Sequence, residues 1–382
     1  MKILFNLKYL KNILQKNSHN FTRNYSQDVI DKIIPKKQGS IALVSLSNNI
    51  YENLALENYI SENVDLKNRN ILLMWVSEPC IVFGRHQNPW LECNVKEALE
   101  RSVKVVRRYS GGGCVYHDFG NLNISFITDR QRYDRQYNLT IIKNSLERLN
   151  FNNVSFEITP RHDIFVKNHN SVDESFKISG SAARLASKFS YHHCTLLFDA
   201  NLENMKLLRS NLGDKITTKA TPSVRSKCIN LKKFLPEEKF DLNEIIKMLC
   251  EQFWKVNWNN WSSDFLFQYV NPEDELIKQA TSKFSNELRN WDFSFGSTPK
   301  FDLSINLGNE KNIILTIANG LIKDYKIVGH FYNEEDQIRK GLDFLIGSKF
   351  EKENLNQLFI QNDLTSLNFV FKNLSEFFNN NI

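Results

Sequence analysis

The chain has 382 residues, enough for two domains or for one large and one small domain. Its hydrophobic fraction of 41% and charged fraction of 24% are ordinary for a soluble globular protein. The longest apolar run near the core, residues 71–76, is far too short to cross a bilayer, which excludes an integral membrane protein. The formal net charge of +6 raises the question of nucleic acid binding.

Most of that charge lies in the first 27 residues, where no acidic residue precedes Asp28. The basic residues there are Lys2, Lys8, Lys11, Lys16 and Arg23. Because the apolar residues between positions 3 and 14 gather on one side of a helix, residues 1–26 resemble a mitochondrial transit peptide, cleaved near Arg23 to Ser26. A surface helix, or a helix lying on a membrane, is the alternative. The remaining chain is nearly neutral, so we expect a matrix protein without a nucleic acid or membrane partner.

Predicted strands and helices follow each other without strict alternation. A helix is predicted to begin at Asn49, since Asn49 and Glu52 have the spacing of a capping box. Apolar runs and alternating patterns predict strands at residues 71–76, 81–83, 103–106, 122–126, 154–158, 164–166, 176–179 and 195–198. Further helices are predicted at residues 139–149, 202–208 and 241–253. We therefore expect an α/β protein of the α+β kind, in which helices pack against a mixed sheet.

A rise in polarity at residues 271–275 predicts a domain boundary. A catalytic domain would occupy residues 40–268 and a small α+β accessory domain residues 272–382. In the second domain a helix, strands and a closing helix are predicted, and Asn319-Gly320 indicates a hairpin turn.

Residues 107–121 read RRYSGGGCVYHDFGN and form the most informative stretch of the chain. Glycine permits positive φ and close approach to a ligand, so three adjacent glycines beside two arginines predict a loop that binds an anion through its N–H groups. The loop lies between two predicted strands and lacks the Lys-Ser/Thr ending. Both features exclude a P-loop nucleotidase.

Three further clusters carry reactive side chains, at residues 159–163, 177–182 and 191–195. Taken alone, Lys177 could be a solvated lysine at a strand end. Together with the glycines, the clusters supply cations and hydroxyl donors suited to an acyl-phosphate anhydride, whose developing charge must be stabilised during transfer.

The pairs His117-Asp118 and His162-Asp163 raise a competing hypothesis, a metal-dependent phosphohydrolase. Both pairs lie in predicted loops beside strands, where hydrogen bonds that hold the loop are the simpler role, so we expect no metal. The six cysteines contain no C-x-x-C pair and indicate free thiols rather than zinc or disulfides. Cys194 follows His193, but adjacent strand residues point to opposite faces, which predicts a buried structural cysteine.

At these residues the sequence resembles the lipoate–protein ligase and lipoyltransferase family. The resemblance covers nearly the whole chain after residue 27. It is carried by RRYSGGGCVYHDFGN, GRHQNPWLECN (84–94), KISGSAAR (177–184), YHHCTLLFDANL (191–202), SVRSKCINL (223–231), GSTPKF (296–301) and IGSKF (346–350).

The resemblance implies a catalytic domain like that of biotin protein ligases and a small accessory domain. It implies transfer of a lipoyl group from lipoyl-AMP to a specific lysine in lipoyl domains of 2-oxoacid dehydrogenase E2 subunits and in glycine cleavage H protein. Lys177 would contact the acyl carbonyl and the phosphate as the catalytic residue. The implied lipoyl-AMP site consists of Arg107, Arg108, Ser110, Gly111, Gly112, Gly113, Tyr116, Arg161, Lys177, Thr195, Thr221 and Ser223.

The sequence leaves several hypotheses open. A lipoyltransferase would take the lipoyl group from a preformed adenylate or a lipoylated protein, and the leader favours this. A full ligase would also activate lipoate with ATP and Mg²⁺. An inactive binding protein would not need Lys177, Arg161 and three glycines together. An octanoyltransferase with a cysteine thioester needs an activating partner that no cysteine shows. Two departures from the family are the long loop at 168–175 and Cys114, where a smaller residue is usual.

Overall fold

A computed structural model describes residues 29–30, 32–34, 39–149, 151, 153–169, 174–235, 241–255, 266–331, 334–367 and 369–382. The predicted transit peptide, residues 1–26, lies outside the described residues. Within the described part, no helix combines the length and the apolar character needed to span a bilayer.

The described strands form one large sheet and three small ones. They are β1 (Gly39–Ser45), β2 (Arg69–Val76), β3 (Cys80–Phe83), β4 (Lys104–Arg107), β5 (Val115–His117), β6 (Asn121–Asp129), β7 (Val154–Ile158), β8 (Ile164–Asn168), β9 (Ser175–Ser179), β10 (Ser181–Leu185), β11 (Phe189–Leu197), β12 (Ile216–Thr218), β13 (Leu266–Val270), β14 (Phe301–Asn306), β15 (Asn312–Ala318) and β16 (Leu321–Val328). The large sheet has the order β10-β11-β6-β2-β1-β13, in which β1 is parallel to β2 and β13 and the other neighbours are antiparallel. The predicted mixed sheet is confirmed.

The described α-helices pack around these sheets. They are α1 (Ile50–Asn63), α2 (Pro89–Glu92), α3 (Val95–Glu100), α4 (Arg135–Glu147), α5 (Leu242–Trp254), α6 (Glu275–Arg289), α7 (Glu335–Asp343), α8 (Lys352–Gln361), α9 (Leu364–Leu367) and α10 (Phe369–Asn381). The helix predicted at residues 202–208 is present as a 3₁₀ helix.

Alternation along β2 divides the core into two layers, because successive side chains of a strand point to opposite faces. Ile71, Leu73 and Trp75 pack on the side of α1 and α6, whereas Leu72 and Met74 pack on the side of α4 and α5. A run of consecutive buried residues is therefore what a strand covered on both faces requires.

A third hydrophobic cluster joins the sheet β4-β3-β5 to the C-terminal part of the chain. It combines Phe83, Trp90 and Tyr116 with the sheet β12-β14-β15-β16 and with helices α7 to α10. The small sheet that carries the glycine loop thus packs directly against the last hundred residues.

The segment after the predicted boundary contacts two parts of the molecule, the core of the large sheet and the third hydrophobic cluster. Helix α6 packs against α1 and contributes Ile277, Phe284 and Leu288 to the core of the large sheet. The domain boundary at residue 272 remains a prediction. A boundary there would assign α6 to the accessory domain, although α6 packs against the core of the large sheet.

Two local predictions have specific outcomes. Asn49 caps α1 by accepting a hydrogen bond from Tyr51 N, but Glu52 does not complete the capping box and instead contacts Ser285 and Arg289 of α6. The predicted hairpin turn at Asn319-Gly320 is confirmed between β15 and β16, with φ of 52° and 69°, the signs of a type I′ turn.

Gly320→Ala should destabilise the protein more than Gly308→Ala. Both glycines have positive φ, but a Cβ at position 320 would lie 2.6 Å from Trp291, whereas position 308 is open. We expect a loss of about 1 kcal/mol at position 308 and about 2–4 kcal/mol at position 320, because the second adds a steric clash. Urea unfolding of both variants measures the difference, and equal losses would contradict the described packing of this turn.

Candidate functional site

Two adjoining cavities open beside the glycine loop. The first has a volume of about 280 Å³ and the second about 390 Å³. Both are lined by Cys114, Val115, Lys177, Gly180, Thr195, Ser223 and Val224. Strands β2, β6 and β11 form one wall of the first cavity, since Trp75 pairs with Asn123 and Asn123 with Thr195 across the large sheet.

The glycine loop is fixed in place by Arg108. This buried guanidinium donates to Ser110 Oγ (2.8 Å), Val82 O (3.0 Å), Gly111 O (2.6 Å) and Gly113 O (2.8 Å). Burial lowers the pKa of Arg108 to about 10, so it stays protonated at neutral pH. Arg108 lines the first cavity while its donors are directed at the loop, and its role in the structure is to shape the loop.

Close packing explains Gly112 of this loop and the neighbouring Gly84, whereas a Cβ at Gly111 would meet open space. Gly112 has φ of +87°, and a Cβ there would lie 2.9 Å from Ala182 Cβ. A Cβ at Gly84, in the neighbouring strand connection, would lie 2.2 Å from Gly112 O. Among the described residues, the N–H groups of the three loop glycines donate to no protein acceptor. They are available for an anion, as such a loop permits.

Arg107 lies elsewhere, which corrects its predicted place in the anion site. Its fully buried guanidinium donates to the carbonyls of Arg85 (2.7 Å), Gln87 (2.9 Å) and Ser294 (2.8 Å) and to Thr298 Oγ1 (2.8 Å). The physical reason is strand alternation: Arg107 and Arg108 are adjacent, so their side chains leave on opposite faces. Arg107 therefore connects β4 and the segment after β3 to the C-terminal part of the chain.

Lys177 lies where the two cavities meet. Its Nζ is 2.9 Å from Asp163 Oδ1, and both side chains are largely buried. A Cβ at Gly180 would lie 3.2 Å from this Nζ, so the glycine gives the ammonium its space. Arg161 is exposed and lines the first cavity near Asp163. The structure thus brings Lys177 and Arg161 together, and it adds Asp163 as the partner of Lys177.

Thr195 and Ser223 hold the backbone around Lys177. Thr195 Oγ1 accepts from Gly180 N (3.0 Å), and Ser223 Oγ accepts from Cys114 N (2.8 Å) and Gln87 Nε2 (3.0 Å). Lys177 N donates to Lys227 O at 2.8 Å, which ties the loop containing Ser223 to β9.

Of four other predicted site residues, one lines a cavity and three line neither. Tyr116 lines the second cavity, and Asn204 Nδ2 donates to its hydroxyl at 2.9 Å. Thr221 is exposed and lines neither cavity. Gly111 and Ser110 belong to the loop but not to the cavity walls.

Ser110, His193 and Glu57 form a buried chain that superficially resembles a nucleophilic triad. Ser110 Oγ is 2.9 Å from His193 Nε2, and His193 Nδ1 is 3.1 Å from Glu57 Oε1. Ser110, however, is fully buried, lines neither cavity and already accepts from Arg108. These hydrogen bonds therefore fix the His193 ring in the cavity wall, and the Ser110 hydroxyl is not placed to attack a substrate.

His117 lines the first cavity and makes no side-chain hydrogen bond within the described part of the chain, so the prediction that it holds the loop is wrong. Neither ring nitrogen of His117 has a hydrogen-bond partner among the described residues, and the side chain is buried in the first cavity wall. Burial, followed by the charges of Arg108 and His193, lowers its pKa to about 3. Asp118 accepts from Gly120 N and Asn201 N at 2.8 Å, so it holds the turn before β6 and the segment after β11 rather than the glycine loop.

The site also contains residues that were not predicted from the sequence. They are Glu57, Trp75, Asn123, Arg135 and Asp163. Of these, Asp163 stood within a cluster that the sequence had singled out. No group of three or more potential metal ligands occurs within the described ranges. Cys194 is buried, and burial raises its pKa. This placement agrees with a structural cysteine.

Comparisons with known proteins agree on one family. The profile of the lipoyl protein ligase A/B catalytic domain matches residues 49–254. Mitochondrial lipoyl amidotransferase LIPT1 of Homo sapiens is 33% identical over 325 residues, covering 82% of this chain and 83% of that protein. Lipoate-protein ligase A of Blochmanniella floridana is 33% identical, covering 77% and 84%.

Solved structures show the same fold. P. falciparum LipL1, solved in complex with lipoate, has a TM-score of 0.54 and 27% identity, covering 84% of this chain and 94% of that one. A bipartite lipoate protein ligase of Thermoplasma acidophilum, studied with its E2 lipoyl domain, has a TM-score of 0.54 and 18% identity, covering 69% and 98%.

Stability should fall as the pH drops below neutrality. Burial lowers the folded-state pKa of His117 and His192 from 6.5 to about 3, so between these values the unfolded chain binds protons that the folded chain does not. Each histidine should cost about 2 kcal/mol of unfolding free energy from pH 7 to pH 5. Urea unfolding at both pH values measures this loss.

Asparagine at either position should remove about half of that pH dependence, since asparagine does not titrate. His169→Gln, at an exposed position, is the matched control and should keep the full dependence. If the unfolding free energy of both asparagine variants depends on pH as strongly as that of the unchanged protein, the lowered pKa values of His117 and His192 are wrong.

Proposed function

Because the chain belongs to the lipoyl protein ligase A/B family, we propose that it transfers a lipoyl group from lipoyl-AMP, or from a lipoylated donor protein, to a specific lysine of an acceptor domain. It is an acyltransferase that attaches lipoyl groups to proteins. The observation that carries the proposal is the position of Lys177 at the junction of two cavities, beside a loop whose glycine N–H groups donate to no backbone acceptor in the described part of the chain.

Each cavity suits one half of an acyl adenylate. Leu54, Trp75 and Val82 give the first cavity apolar walls for the lipoyl chain. The second cavity, with Tyr116 and Arg209 in its wall, would hold the nucleotide. The phosphate would then lie at the shared residues, within reach of Lys177 and Gly113.

Lys177 would act on charge that develops during transfer. When the acceptor amine attacks the acyl carbonyl, negative charge grows on the carbonyl oxygen and then on the departing AMP phosphate. An ammonium group is a compact charge with three donors, so Lys177 can stabilise both oxygens in turn. Asp163 would keep the ammonium oriented at 2.9 Å before substrate binds. The acceptor lysine is the nucleophile, and positioning supplies much of the rate without a covalent enzyme intermediate.

The acceptors would be lipoyl domains of 2-oxoacid dehydrogenase E2 subunits and glycine cleavage H protein. The human relative is named as a mitochondrial lipoyl amidotransferase, and the Thermoplasma ligase was studied with an E2 lipoyl domain. The protein is mitochondrial, and we place it in the matrix because the leader has the composition of a transit peptide.

The source of the lipoyl group can be tested with purified protein and an unmodified E2 lipoyl domain. One reaction receives lipoate, ATP and Mg²⁺, a second receives lipoyl-AMP and a third a lipoylated donor protein. We expect the acceptor mass to increase in the second or third reaction. Modification in the first reaction would instead establish the alternative, a full lipoate–protein ligase. No modification in any reaction would contradict both enzymes.

Lys177→Ala should lower the transfer rate from lipoyl-AMP by about 100-fold or more, because it removes the cation that stabilises the developing charge. Lys167→Ala is the matched control, since Lys167 is an exposed lysine on β8 that pairs with Glu157 outside both cavities. Single-turnover acceptor mass spectrometry gives both rates. Near-normal transfer by Lys177→Ala would overturn the role assigned to this lysine.

A further inference from the structure

A series of hydrogen bonds links helix α1 with the glycine loop. Glu57 of α1 is fully buried, and its Oε1 and Oε2 atoms lie 3.1 and 3.3 Å from His193 Nδ1. His193 Nε2 lies 2.9 Å from Ser110 Oγ, the oxygen to which Arg108 Nε donates at 2.8 Å. We call Glu57, His193 and Ser110 the α1 path, because they connect a carboxylate of this helix to the arginine that holds the loop.

One set of proton positions satisfies every group of the α1 path. A carboxylate only accepts hydrogen bonds, so the proton of a neutral His193 ring lies on Nδ1 and is donated to Glu57. His193 Nε2 then accepts from the Ser110 hydroxyl, and the Ser110 oxygen keeps its lone pairs for Arg108. The direction of each hydrogen bond therefore depends on the acceptor that Glu57 supplies at the far end.

The position of Glu57 on α1 keeps it away from any ligand in the cavities. Glu57 lies three residues after Leu54, so the two side chains leave the same side of the helix. Leu54 and His193 line the first cavity. Glu57 and Ser110 line neither cavity. Glu57 can thus influence a bound ligand only through the residues that it holds.

The α1 path also brings a buried negative charge towards a buried positive charge. Glu57 and Arg108 are both buried. The guanidinium of Arg108 donates to Ser110 Oγ and to backbone carbonyl oxygens, which carry no net charge. Buried charges need good hydrogen bonds or an opposite charge nearby, and the α1 path contributes both to Arg108.

We propose that Glu57 is a positioning residue that keeps the glycine loop in the conformation that binds the phosphate of lipoyl-AMP. Glu57 orients the His193 ring, which in turn orients the Ser110 hydroxyl. Ser110 then keeps Arg108 directed at the loop carbonyls. Loss of the carboxylate leaves His193 Nδ1 without its acceptor, which frees the ring to turn away from Ser110. The identity of the bound anion rests on the proposed function.

Affinities for lipoate and for lipoyl-AMP distinguish this role from simple packing, since lipoate has the lipoyl chain but no phosphate. Glu57→Leu removes the acceptor at similar volume. We expect its Kd for lipoyl-AMP to rise about tenfold or more and its Kd for lipoate to change less than about threefold. Glu57→Gln keeps an oxygen that can accept from His193 Nδ1, and it should recover most of the lost affinity. Isothermal titration calorimetry of the full-length protein measures both constants.

Glu251→Leu is the matched control for removal of a buried carboxylate. Glu251 lies on α5, pairs with Arg148 and lines neither cavity. This variant should leave the ratio of the two Kd values unchanged. If Glu57→Leu weakens lipoate and lipoyl-AMP binding equally, Glu57 only shapes the cavity wall and the proposal is overturned.

Ser110→Ala tests whether Glu57 acts through the α1 path. The variant removes one oxygen and should weaken lipoyl-AMP binding selectively, even where Glu57→Leu fails to fold. Combined with Glu57→Leu, or with Glu57→Gln in that case, it should bind lipoyl-AMP about as weakly as the weaker single variant, because residues of one hydrogen-bonded path are coupled. Fully additive losses would mean that Glu57 acts by another route.

Alkylation of Cys114 reports on the loop without any ligand. Cys114 is the partly exposed last loop residue before β5, and the partly exposed Cys228 lines the second cavity from another segment. In Glu57→Leu we expect iodoacetamide to label Cys114 faster relative to Cys228 than in the unchanged protein, and an equal ratio would contradict the proposal. If the unchanged protein binds no lipoyl-AMP, the proposed function fails, and this ratio still decides whether Glu57 holds the loop.

Discussion

The buried guanidinium of Arg108 is the interaction on which the site depends. It donates to the carbonyl oxygens of Gly111 and Gly113 and so fixes the course of the loop at the edge of the first cavity. Hydrogen bonds from a charged donor contribute about 1.5–3 kcal/mol each, enough to hold three glycines that would otherwise be very flexible. In the structure, the cation therefore acts by holding the backbone of the loop.

The two cavities and the ion pair of Lys177 are organised around that fixed loop. Ser223 bonds the loop at Cys114, Thr195 bonds the turn at Gly180, and Lys177 lies between them. These contacts are mostly hydrogen bonds between a backbone group and a side chain. They hold the backbone around Lys177 in place without a bound substrate. Such an arrangement suits the proposed charge stabilisation, because donors that are already in place need little reorganisation.

The sequence predicted much of the fold and part of the site. Strands such as β2 and the turn at Asn319-Gly320 were predictable because their signals are local: a run of apolar residues and a turn that needs positive φ. The opposite directions of Arg107 and Arg108 also follow from strand alternation, which predicts that only one of the two reaches the site; that Arg107 points away comes from the structure. Glu57, Trp75 and Asn123 were not predictable, since only the pairing of distant strands and the packing of α1 bring them to the cavity.

The position of β13 has a consequence for how the chain folds. Strand β1 lies between β2 and β13, and β13 begins only at Leu266, so one side of β1 has no partner until most of the chain is present. An unpaired strand edge is a template for aggregation, and parallel pairing over such a sequence separation is slow. While the chain is synthesised from its N-terminus, it therefore passes through a stage in which the apolar edge of β1 is unpaired. We expect its yield of folded protein to depend on how long that edge is shielded by chaperones.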